Sequence, residues 1–203
     1  MGFGTLFIGY FLILNIAYYA YTDLIASLIM LFATYKLGSI GRDFKKGFYS
    51  LLPFAFISAF ELFLELSSVF SPKPDDEVLL GVIGILRFAL IATVSFFILT
   101  GIKKLAVEVE LPLLRDKARS TRVSVLIAYS FALILEIPML NKLITTKALA
   151  ALALISLVFT FVVTISALSA IYSAYMRICM PEDLLREEKL AKLEFEKSKK
   201  GRK

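Results

Sequence analysis

Residues 3–37 read FGTLFIGYFLILNIAYYAYTDLIASLIMLFATYKL, and Asp23 and Lys36 are the only ionisable acid and base in the run. About 20 apolar residues suffice to cross a hydrocarbon core of ~30 Å. A straight helix of this length would reach roughly 52 Å at ~1.5 Å per residue. The run is too apolar for a water-facing surface and too long for one upright crossing. The expected break is Tyr21-Thr22-Asp23, because Thr and Asp side chains accept hydrogen bonds from the free N–H groups that open a new helix. Two spans follow, at about 3–21 and 24–37. One long, strongly tilted helix is the alternative. The length of the run and the lack of a basic leader argue against a cleavable signal peptide.

The same pattern continues outward from this stretch. Apolar runs occupy 48–70, 78–100, 123–139 and 148–175, with the charges gathered between them. The chain of 203 residues is 59% hydrophobic and 20% charged, against ~45–50% and ~25% in soluble domains. The expected fold is therefore all-α. Residues 1–176 form a polytopic transmembrane helix bundle of about six spans, or five if 3–37 is a single helix. A charged cytoplasmic C-terminal helix, 177–203, follows, with i,i+4 pairs at Glu182/Arg186, Glu188/Lys192 and Glu196/Lys200. The last apolar run is rich in Ala, Ser and Thr, which favours close packing on neighbouring helices.

Charge placement gives an orientation. Segments 36–46, 102–122 and 177–203 hold 4, 6 and 9 of the 23 basic residues, while the turns 71–77 and 140–147 hold 1 and 2. By the positive-inside rule the three basic segments are cytoplasmic. With a hairpin at 3–37, both termini face the cytoplasm of a plasma or inner membrane. The net charge of +6 then reports topology and attraction to anionic lipid rather than nucleic-acid binding. Segment 102–122 reads either as an amphipathic surface helix, with Pro112 interrupting it, or as a helix extension plus a loop. Gly38, Gly41 and Gly47 mark 36–46 as a loop.

Several functions are excluded by composition. No histidine occurs, which removes His-based acid–base catalysis, Ser–His and Cys–His nucleophiles and His-ligated metals. The single Cys179 forms no internal disulfide and reads as a packing residue. No GxxxxGK[ST] loop is present, so transport driven by ATP needs a partner ATPase.

The candidate site is a set of charges within or beside the apolar runs: Asp23, Glu61, Glu65, Arg87 and Glu136. Such residues are costly in lipid and face a protein interior or a wet cavity. Glu61 lies nine residues from Phe70 and Arg87 nine from Val78, each roughly 14 Å deep, so a Glu61–Arg87 pair is expected. Ser58, Glu61, Glu65 and Ser68 share one helical face. Glu136 and Asp23 belong at the same outer end. Four acids beside one Arg require, at low dielectric, a protonated acid or a bound cation. The expected site is an outward-facing acidic pocket for a proton, a metal cation or an amine-bearing ligand. The plainer alternative is that the charges only fix packing and cap helices.

The leading functional expectation is a transport-related or solute-binding membrane component, working with a partner subunit, an ATPase or further copies of itself in the lipid bilayer. In size and helix count such a bundle is similar to the substrate-binding subunits of energy-coupling-factor transporters, a likeness of architecture alone. The alternative is a non-catalytic accessory, scaffold or signalling subunit that binds through 102–122 or the tail. An intramembrane enzyme is disfavoured. Glu61 and Glu65 lie one turn apart on one helix and cannot flank a bond from opposite sides.

Overall fold

The computed structural model describes residues 2–13, 20–67, 77–137 and 146–179. Asn15, Ser68, Pro138, Asn141, the turn 71–76 and the tail from 180 onward lie outside the described residues. The described chain is entirely helical: α1 (Gly2–Ile13), α2 (Ala20–Leu37), α3 (Arg42–Ser67), α4 (Glu77–Glu108), α5 (Pro112–Leu135) and α6 (Thr146–Ala174). A π-helical turn, Tyr175–Cys179, follows α6. The helices α3, α4, α5 and α6 are long and apolar enough to cross a membrane.

The opening run folds as two helices packed against each other, not as one long helix. They are antiparallel. A Cβ on Gly2 would meet the Leu37 side chain at 2.7 Å, and one on Gly9 would meet Met30 Cγ at 2.6 Å and the Met30 backbone nitrogen at 3.1 Å. Glycine at position 9 is what lets the two backbones approach this closely. The break is not where the capping pair suggested. α2 already begins at Ala20, so Tyr21, Thr22 and Asp23 form its first turn. Asp23 still suits that position, since a carboxylate complements the positive end of the helix dipole.

Two further boundaries differ from expectation. The loop at 36–46 shrinks to 38–41, with Gly47 inside α3. Segment 102–122 is not a surface helix but the alternative, a helix extension plus a loop, and the loop is only 109–111. α4 continues to Glu108 and α5 starts at Pro112, so the segment is two helix ends joined by a tight reversal. There Leu111 N–H donates to Ala106 O at 2.8 Å and Glu110 N–H to Val107 O at 3.3 Å. Glu110 takes a left-handed φ of 56°. This is a Schellman cap with glutamate in the place that glycine favours. Pro112 then opens α5, where its missing N–H costs nothing.

Each helix packs on its neighbours in sequence, and α6 closes the ring on α1 while also touching α4. The Phe7 and Tyr172 rings, 5.8 Å apart, and Tyr175 against Gly4 make the α1–α6 seam. Across the ring, Tyr10 Oη and Ser95 Oγ are hydrogen-bonded at 2.7 Å between α1 and α4.

Packing is uneven along the bundle. Phe3, Leu6, Met30, Leu37, Phe44, Leu51, Ile98, Ile102, Leu114 and Ile171 are all buried. They fill the half in which α2 ends and α3 begins. In the other half, α3 buries no residue after Ser58, and α6 buries only Ser156 between positions 147 and 162. The expected burial of α6 against neighbours thus holds for its second half only. The outer surface is apolar on every helix, with Phe11, Phe32, Phe56, Phe63, Ile127 and Phe159 exposed. Apolar surface spread this widely suits lipid rather than water.

Candidate functional site

The loosely packed half contains the five candidate residues, Asp23, Glu61, Glu65, Arg87 and Glu136. Arg87 projects inward from α4 and forms an ion pair, Nη2 to Oδ2, with Asp23 of α2. Asp23 is 1% exposed. Its other oxygen, Oδ1, has no hydrogen-bond partner among the described residues. On α3, Glu61 Oε2 stands 3.9 Å from Arg87 Nη1. The expected Glu61–Arg87 pair is therefore present as the looser of two contacts, and Asp23 is the nearer partner. Glu65 acts electrostatically on Glu61 from one turn away. Ser58 is buried, and its hydroxyl donates to Phe54 O at 3.0 Å within its own helix.

Glu136 lies on the other side of Arg87. It ends α5, and its carboxylate rests against α4 at Gly84, where a Cβ would come within 2.9 Å of Oε2. A larger residue at position 84 would displace the carboxylate. Glu136 feels the charge of Arg87, but it does not join Asp23 and Glu61. The five expected residues therefore form no single acidic pocket. Asp23, Glu61 and Glu65 stand on the α2–α3 side, and Glu136 faces a separate space.

That space is a cavity of about 500 Å³ between α1, α4, α5 and α6. Its walls are mostly apolar: Ile13, Phe88, Ile91, Ala132, Leu135, Ala153, Leu157 and Phe161. The polar groups on it are Arg87, Glu136, Tyr129, Ser156, Thr160 and Thr164. Residues 153, 156, 157, 160, 161 and 164 recur at helical spacing, so one face of α6 lines the cavity. At the end nearer the packed core, Tyr129 Oη and Thr164 Oγ1 are 3.3 Å apart and close it. Thr160 Oγ1 is buried and without a hydrogen-bond partner among the described residues. A mostly apolar concavity of this size with a few polar groups suits a small organic ligand. Among the described residues no three His, Cys, Asp or Glu come together to hold a metal ion.

Sequence reading missed the hydroxyl groups of Tyr129, Ser156, Thr160 and Thr164. The available signal was the 3–4 spacing of small polar residues in the last apolar run, which was assigned to close packing instead. No known protein family, curated protein or solved structure matches this chain.

Proposed function

We propose that the protein is a transport-related or solute-binding component of the cell membrane, holding its ligand in the cavity between α1, α4, α5 and α6. The observation that carries this reading is the cavity itself. It occupies the half of the bundle where helix packing is incomplete, and its charged groups sit beside apolar and aromatic walls. The basic helix ends are taken to face the cytoplasm, which turns the cavity half toward the outer side. A partner subunit would supply any energy input.

The test is access to the cavity. In a Cys179→Ser background, Ser156→Cys places a thiol on the cavity wall. Methyl methanethiosulfonate, which is small and neutral, should modify it in protein reconstituted in lipid. Adding Ala132→Phe, which fills the space, should slow that modification at least tenfold. An unreactive thiol, or one indifferent to Ala132→Phe, removes the cavity and the proposed function with it.

A further inference from the structure

We propose that the ligand is an amphipathic amine: an apolar, preferably aromatic body carrying one ammonium group that Glu136 receives. This rests on the cavity being the ligand site and goes on to name the ligand's chemistry. Charge comes first. Arg87 lines the cavity, but its guanidinium is already paired with buried Asp23 and has Glu61 at 3.9 Å. An anionic head group would have to compete with both carboxylates and would also meet Glu136. Glu136 lines the same cavity and has no ion-pair partner among the described residues. Of the two charged side chains on the cavity wall, Arg87 is already matched by carboxylates outside it, so Glu136 is the group that an added ammonium would neutralise.

Shape is the second argument. Tyr129 and Glu136 lie seven residues apart on α5, about 10 Å along the helix axis at 1.5 Å per residue. Tyr129 and Thr164 close one end, and Glu136 marks the other. The intervening wall includes Phe88, whose ring is 6.2 Å from that of Tyr129, and Phe161 on α6. A ring at the closed end, joined by a short chain to an amine, spans this distance. The unpartnered Thr160 hydroxyl offers a donor to an acceptor on such a body, or to the face of its ring.

Three matched compounds test the proposal: 4-phenylbutylamine, 4-phenylbutanol and 4-phenylbutanoate. Each is scored by how well it protects the Ser156→Cys thiol of the lipid-reconstituted protein, in the Cys179→Ser background. The amine should protect at a concentration at least tenfold below that of the alcohol, with the carboxylate weaker still. Glu136→Gln should bring the amine to the level of the alcohol measured in the same variant. Retained reaction of the thiol with methyl methanethiosulfonate in that variant reports an intact fold. Equal protection by amine and alcohol, or an amine preference that survives Glu136→Gln, overturns the amine assignment and leaves the cavity standing. A reactive thiol that none of the three protects does the same. A thiol that never reacts removes the cavity, and this proposal falls with it.

Discussion

At the scale of single residues, Arg87 organises the candidate site, and its two carboxylate contacts are unequal. Asp23 is buried and in direct contact, whereas Glu61 stands at 3.9 Å. Removing one partner of a buried ion pair leaves a charge poorly compensated, at a cost of about 3 kcal/mol. A long, partly hydrated contact contributes less than about 1 kcal/mol. Asp23→Asn should therefore lower the unfolding temperature of the purified protein clearly, and Glu61→Gln only slightly. The reverse order in a thermal melt would mean that Glu61 is the main partner. Arg87 and its acids were legible in the sequence because helix rise is constant and depth can be counted. Asp23 is placed at the same outer end by the sequence and also suits a cap, but nothing local shows that its side chain reaches α4 rather than its own helix start. The cavity hydroxyls were hidden for another reason. In a membrane helix Ser and Thr commonly satisfy themselves on the preceding turn, as Thr93 does on Ala89 O and Ser166 on Val162 O. Their presence alone does not tell a lining residue from a self-satisfied one.

At the scale of elements, the helices outrun the apolar segments that announced them. α4 carries Lys103 and Lys104 and continues to Glu108, because its backbone hydrogen bonds do not depend on lipid. Hydropathy therefore located the apolar helices and misjudged their ends. The ends are held by specific contacts. Lys104 Nζ lies 2.6 Å from Asp43 Oδ2, joining α4 to α3. Lys117 donates to Ser169 Oγ at 2.7 Å and Ser173 Oγ at 3.0 Å, joining α5 to α6. The α4–α5 reversal contains a residue that works against it. A left-handed backbone costs a non-glycine residue about 1 kcal/mol, and Glu110 adopts one. Glu110→Gly should raise stability by about 0.5–1 kcal/mol, read as a higher midpoint in thermal or denaturant unfolding. A lower midpoint would show that the glutamate side chain contributes more than its backbone costs.

At the scale of the whole molecule, charge and packing divide along the same axis. Lys36, Arg42, Lys45, Lys46, Lys103, Lys104, Arg115 and Lys117 all belong to the helix ends of the well-packed half, while Arg87 and Lys147 lie in the half with the cavity. The proposed orientation predicts that Ser39→Cys, exposed between α2 and α3, resists a membrane-impermeant thiol reagent in intact cells and reacts once they are permeabilised. Reaction in intact cells would invert the topology. The alternation of basic segments was open to reading in the sequence. The closing of α6 on α1 was not, because apolar runs carry no record of which distant run they meet.

That closure has a consequence for how the protein is made. As the ribosome delivers the described helices in order, each one from α2 to α5 finds the partner synthesised just before it already in place. α6 is different, because it must dock on α5, the last helix made, and on α1, the first. Before it arrives, the cavity lacks the wall carrying Ser156, Thr160 and Thr164. Chains that lack a docked α6 thus have no such cavity, and the proposed site is completed only when α6 packs in place. A ligand present at that moment would favour the finished ring over the open one by mass action.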